Sequence, residues 1–312
     1  VTRRVGAIDC GTNSIRLLVA DVDVAAGRLV DVVRRMEIVR LGQGVDRTGR
    51  LAEDALLRTF AACDSYAADI GRTGAERVRF CATSAARDAS NAGVFVAGVR
   101  ERFGVEPEVV PGAEEARLSY DGATREVHGQ GLPTPYLVFD IGGGSTEFVL
   151  GEQPGELSRA ASVDVGSVRM TERHLHGDPP SPTEVAAARA DIDAALSGLA
   201  FPYASARTVV GVGGTATTVA AMGLGLDRYE PDRIHLSRLP LESVRASAER
   251  LLGMTRDERA ALPYMHPGRA DVIGAGSLVL ERVVTAATAH LDQPGVVVSE
   301  HDILDGIAWS IA

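Results

Sequence analysis

Two short segments of this chain share a pattern suited to holding phosphate. Asp9-Cys10-Gly11-Thr12-Asn13-Ser14 and Asp140-Ile141-Gly142-Gly143-Gly144-Ser145 both read D-x-G-x-x-S, and they lie 131 residues apart. Each closes an apolar run (5–8 and 136–139) and opens another strand-like one (15–20 and 146–150). Glycine tolerates positive φ and close approach of a ligand, so such a hairpin can turn its backbone N–H groups inward and form an anion-binding concavity. One copy would read as an ordinary turn; two in matched register point to a duplicated phosphate-binding architecture. A third glycine turn, Gly211-Val212-Gly213-Gly214-Thr215, reads as a strand leading into a helix, whose N-terminus is a further anion site. Ser14 and Ser145 have no His-Asp partnership in the sequence, so serine nucleophilic chemistry is not expected.

Acidic residues stand where a phosphate reaction would use them. Asp140 ends a strand and Glu147 lies just across its hairpin, so the two can share one hard cation such as Mg2+. Asp9 is the counterpart of Asp140; it can assist a metal through water or cap its own hairpin. Glu114 and Glu115 open a helix, where a carboxylate can orient and deprotonate water or simply favour the helix dipole. His174-Leu175-His176 reads as a polar loop without a third ligand, and Cys10 as a small buried residue.

Composition narrows the chemistry further. All 32 basic residues are Arg, which excludes a Walker phosphate loop, a protein-kinase site and Schiff-base catalysis, since each needs a Lys. The net charge of −10 argues against non-specific nucleic-acid binding but leaves room for local Arg clusters on a small anion. No apolar run reaches the ~20 residues of a membrane span. The first residues run straight into a strand pattern, so no signal peptide is expected, and three Cys with no CxxC suit a reducing cytoplasm.

The elements that must position these groups alternate between strand and helix. Strand-like runs are expected at 37–41, 78–83, 108–110 and 296–299, and helices at 51–71, 84–103, 113–128, 183–198, 241–252, 270–291 and 302–312, with a linker at 129–135. Both halves start in the same motif, which implies an α/β molecule of two lobes with a cleft between them. The expected division is 1–128 plus 300–312, and 129–299.

The two hairpins and the later glycine turn resemble the actin/Hsp70/sugar-kinase superfamily, with its duplicated ribonuclease H-like domains. Within it, residues 9–17, Glu114-Glu115-Ala116-Arg117-Leu118 and 140–147 resemble the exopolyphosphatase/guanosine pentaphosphate phosphatase family, and Val298-Ser299-Glu300-His301-Asp302-Ile303-Leu304-Asp305-Gly306 its short actinobacterial members. The resemblance implies Glu115, rather than Glu114, as the base that activates water. It implies Asp140 and Glu147, with Asp9, as the holders of Mg2+, Mn2+ being the alternative ion. It also implies Arg87 near the reacting phosphate and Arg16 and Arg269 in ligand binding. Gly11, Thr12, Asn13, Ser14, Gly143, Gly144, Ser145, Gly213, Gly214 and Thr215 would complete the cradle. The implied activity is release of orthophosphate from inorganic polyphosphate, with guanosine pentaphosphate hydrolysis or (p)ppGpp sensing as alternatives. Longer family members carry extra C-terminal helical domains beyond the extent of this chain, and homodimers are common among them.

Overall fold

The computed structural model describes residues 2–312, which divide into two compact units. The first runs to Gly122 and takes in Ile303–Ala312; the second is Ala123–Asp302.

The first unit is built on strands β1 (Thr2–Cys10), β2 (Ser14–Asp23), β3 (Arg28–Ile38), β4 (Arg77–Ala82) and β5 (Glu108–Val109) in the order β3-β2-β1-β4-β5. β1, β2 and β3 form an antiparallel meander, while β4 runs parallel to β1 and β5 parallel to β4. The second unit repeats this plan with β6 (Tyr136–Ile141), β7 (Thr146–Gln153), β8 (Glu156–Val163), β9 (Thr208–Val212), β10 (Ser237–Pro240) and β11 (Gly295–Val298). There β6, β7 and β8 form the meander, β9 lies parallel to β6 and β11 parallel to β9, with β10 added antiparallel at the edge. The duplication expected from the two D-x-G-x-x-S segments is therefore a duplication of sheet topology.

β1 and β6 are the strands shared by the meander and the parallel half of each sheet. Sheet neighbours on both sides and helices packed on the faces bury them from Val5 to Cys10 and from Tyr136 to Ile141, stretches that are apolar but for Asp9 and Asp140. Asp9 and Asp140 are their penultimate residues, so the sheet cores deliver these carboxylates to the hairpin turns.

Several elements differ from the sequence expectation. The helix expected at 84–103 is two, Ser84–Asp88 and Ala92–Phe103. Ala89 is extended, and the Asn91 side chain bonds both the N–H and the carbonyl of Leu51, at 2.8 and 3.0 Å, which stops the first helix. The strand expected at 37–41 is the end of β3; Val39 and Arg40 leave it to donate their N–H groups to the Asn13 carbonyl. The helix at 270–291 is shorter, Ile273–Thr288. Helix Pro182–Gly198 starts on a Ser181/Glu184 capping box.

The closing helix, Ile303–Ser310, packs on β1 and β2 through Ile303, Leu304, Ile307 and Ala308 against Val5, Ala7, Leu18, Ala20 and Val22. Gly306 sits so close to helix Gly112–Gly129 that a Cβ there would lie 1.9 Å from the Leu118 carbonyl oxygen. Asp305, 1% exposed, accepts from Arg34 at 2.5 Å.

Candidate active site

The two D-x-G-x-x-S turns are closed by the same hydrogen bond at the same length. Gly11 N–H donates to the Ser14 carbonyl at 2.9 Å, and Gly142 N–H to that of Ser145 at 2.9 Å. In both, the residue seven places after the Asp is its cross-strand partner: Asp9 faces Arg16, and Asp140 faces Glu147. The chemistry of the copies diverges at that position.

In the first unit the pair is ionic. Arg16 donates Nε and Nη2 to Asp9 Oδ2 at 3.0 and 2.6 Å. The turn itself is braced by Gly42 N–H on the Thr12 carbonyl and by Thr12 Oγ1 against Ser84 Oγ, both 2.8 Å. Gly42 has to be glycine, because a Cβ would lie 2.3 Å from Thr12 Cγ2. Ser84 begins the short helix that carries Arg87 in its last turn, and Arg87 Nη1 donates to the Val110 carbonyl at 3.0 Å and to Glu115 Oε2 at 3.2 Å.

The structure separates the two adjacent glutamates. Glu114 is held by Arg117 and Arg79, and these guanidinium groups, Arg117 foremost, keep its carboxyl below the usual glutamate range. Glu115 is 7% exposed and faces Arg87. Burial pushes the Cys10 thiol well above its usual range, which leaves it unreactive.

In the second unit two carboxylates oppose one another, Asp140 at 9% and Glu147 at 2% exposure. Ser162 Oγ on β8 donates to Glu147 Oε1 at 2.8 Å. Like charges on directly opposed residues destabilise a sheet, and hard oxygen donors are what a divalent cation such as Mg2+ takes. The glycine turn arrives at the same place because β9 pairs with β6, setting Val212 opposite Asp140. Gly213 follows at φ +81°, and a Cβ on it would lie 2.6 Å from Asp140 Oδ1. The donor set and the space kept clear around it fit a small divalent ion.

Anion-binding features adjoin this pair. Helix Gly213–Gly223 has no side-chain cap, so no N-cap side chain accepts from its first N–H groups. The Arg269 guanidinium lies on Gly214, where a Cβ would meet its Cζ at 2.3 Å. The Glu300 carboxylate interacts electrostatically with this guanidinium, which therefore sits between an acid and the positive end of a helix. Gly143 and Gly144 are held by their carbonyls, which accept from Val168, Arg169 and Arg169 Nε, and the Ser145 hydroxyl is buried without a hydrogen-bond partner. Thr215, 6% exposed, packs against Gly276.

The structure thus gathers Asp140, Glu147, Ser145, Gly213 and Gly214 in one unit, and Asp9, Thr12, Arg16, Arg87 and Glu115 in the other. Ser162 and the half-buried pair of Tyr229 and Glu300 were not expected from the sequence; Tyr229 Oη donates to Glu300 Oε1 at 2.7 Å, and desolvation pushes the Glu300 carboxyl up.

Glu126, His235 and His301 also converge. His235 Nδ1 accepts the Glu300 N–H at 3.2 Å, so its proton is on Nε2, which donates to Glu126 at 2.7 Å. That is a hydrogen-bonded clasp; a metal-bound ring donates from its second nitrogen instead.

A family model described as the Ppx/GppA phosphatase family matches residues 18–308. The chain belongs to that family. Exopolyphosphatase 2 of Mycobacterium tuberculosis is 50% identical over 318 residues, covering 99% of this chain and 98% of its own. A guanosine-5'-triphosphate,3'-diphosphate pyrophosphatase of Photobacterium profundum is 32% identical over 89% of this chain and 51% of its own length. Among solved structures, an exopolyphosphatase-like protein superposes with a TM-score of 0.94 at 43% identity, covering 100% of this chain and 98% of its own. A Ppx/GppA family member from Aquifex aeolicus gives 0.81 at 29% identity, with 100% and 98% coverage. The Ppx/GppA fold thus extends over the whole chain. No helix among the described residues is long and apolar enough to cross a membrane.

Proposed function

We propose that this Ppx/GppA protein is an exopolyphosphatase that releases terminal orthophosphate from inorganic polyphosphate by direct attack of water. The observation that carries the reading is the divergence of the two like-built turns: one pairs Asp9 with Arg16, while the other opposes two buried carboxylates beside an uncapped helix end. The full-length similarity to a protein named exopolyphosphatase supports it.

In this reading the backbone donors of Gly11, Thr12, Asn13, Gly143, Gly144, Gly213 and Gly214, with the hydroxyls of Ser14, Ser145 and Thr215, hold phosphate oxygens. Arg16, Arg87 and Arg269 supply counter-charge, and a guanidinium suits phosphate because its planar fork matches two oxygens. Glu115 accepts a proton as water attacks the terminal phosphorus and the bond to the bridging oxygen breaks. Asp140 and Glu147, with Asp9 acting through water, would hold Mg2+ or Mn2+. The ion, when bound, neutralises charge on the phosphate oxygens. Three buried free thiols suit a reducing, cytoplasmic setting, and a homodimer is the proposed assembly.

Guanosine pentaphosphate is the second substrate to consider, on the strength of the Photobacterium profundum relative. A purely binding role for (p)ppGpp is disfavoured, since it gives no use to a buried acid at Glu115. Purified protein with Mg2+ and polyphosphate, without nucleotide, should release orthophosphate, and Glu115→Gln should abolish release while leaving the fold intact. Absence of release by the unmodified protein refutes the assignment; full activity in Glu115→Gln removes Glu115 as the base.

A further inference from the structure

We propose that Arg87 is a counter-ion shared between Glu115 and the substrate, so that a phosphate drawing on this guanidinium weakens its hold on Glu115 and makes that carboxylate available to water. The inference rests on the reading that Arg87 binds phosphate.

Three observations lead to it. The Glu115 side chain is only 10% exposed, and the guanidinium of Arg87 stands 3.2 Å from it. Both hydrogen bonds of that guanidinium leave from one nitrogen, Nη1, to Glu115 and to the Val110 carbonyl. Among the described residues no protein acceptor engages Nε or Nη2 of Arg87, although a guanidinium carries five donors. The Val110 carbonyl therefore anchors the group in place while a second edge stays open for two phosphate oxygens. Arg87 also belongs to the helix begun by Ser84, whose hydroxyl bonds Thr12 of the phosphate turn at 2.8 Å.

The consequence follows from charge. A carboxylate neutralised by a guanidinium is a poor acceptor for the proton of water. A phosphate with two negative charges competes for the same cation and, by forming charge-assisted bonds on the open edge, reduces its pull on Glu115. Glu115 and substrate are then antagonists in binding to Arg87. The base is restrained until there is something to hydrolyse.

The test is a double-mutant cycle on binding. The probe is a methylene-bridged triphosphate analogue, whose P–C–P links resist hydrolysis, titrated calorimetrically with Mg2+ present. Glu115→Gln keeps the shape of the side chain and frees Arg87 of its charge, so it should bind the analogue about threefold to tenfold more tightly than the unmodified protein. Arg87→Gln should weaken binding, and adding Glu115→Gln to it should change affinity by less than about twofold. Arg87→Lys, which keeps the charge without the fork, should retain part of the gain from Glu115→Gln. Equal or weaker binding by Glu115→Gln overturns the inference. So does a gain that persists in the Arg87→Gln background, because the effect would then be plain repulsion between carboxylate and phosphate. If Arg87→Gln alone leaves affinity unchanged, Arg87 is not a phosphate ligand and the underlying reading fails instead.

Discussion

Replacing Glu147 by Gln should stabilise the metal-free protein while destroying its response to metal. Asp140 and Glu147 are directly opposed on antiparallel strands and both are buried, which puts their Cβ atoms about 5 Å apart. If both carboxylates are ionised at about that separation, they repel by at most about 3 kcal/mol at an effective dielectric constant of about 20. The amide keeps the side-chain volume but accepts a weaker bond from Ser162, a loss of about 1 kcal/mol. The net gain is then at most about 2 kcal/mol, or a rise in Tm of up to roughly 4–8 °C for a unit of this size. Saturating Mg2+ at about a hundred times its Kd should add about 2.7 kcal/mol to the unmodified protein. It should add nothing to the variant. Thermal melts of both proteins, with chelator and with Mg2+, measure all four states. A variant that melts lower than the unmodified protein in chelator, or that still shifts upward with Mg2+, would refute the reasoning.

Three further outcomes can be checked. Gly213→Ala places a side chain at φ +81° with its Cβ 2.6 Å from Asp140 Oδ1, so it should cost about 1–3 kcal/mol in urea unfolding and weaken Mg2+ binding as well. Gly306→Ala forces a methyl to 1.9 Å from the Leu118 carbonyl and should cost about 3 kcal/mol or more, read as a lowered Tm. The Glu184 carboxyl is held down to about 2 by the Ser181 N–H and hydroxyl and by the amides of His176 and Gly177. An acid with a depressed folded pKa contributes stability above its unfolded pKa and loses it as pH falls through the folded one. Glu184→Gln should therefore melt below the unmodified protein at neutral pH, with the gap closing between about pH 4.5 and pH 2. A gap that is constant over that range would show the capping carboxylate does not contribute through its charge.

Much of the architecture was legible because the repeat carries positional information. An Asp at a strand end followed by a four-residue turn fixes its cross-strand partner seven places on, so the opposition of Asp140 and Glu147 follows from spacing alone. The same rule pairs Asp9 with Arg16, which the sequence reading treated separately. β8 and its Ser162 were missed because an exposed, mixed-polarity edge strand looks like a loop. The repeat contained the signal, since a third meander strand in the first unit implies one in the second. The meeting of Arg87 and Glu115 could not be read from spacing. It depends on β4 and β5 running parallel side by side, which brings residues 28 places apart within 3.2 Å. The break after Asp88 was hidden for a similar reason, because Asn91 ends that helix through a bond to the distant Leu51.

The central claim is tested most directly by one comparison: orthophosphate release from short polyphosphate, long polyphosphate and guanosine pentaphosphate, each with Mg2+ and with chelator. The account predicts release from polyphosphate that requires the divalent ion. Release that continues undiminished in chelator, or that occurs from guanosine pentaphosphate alone, would contradict it.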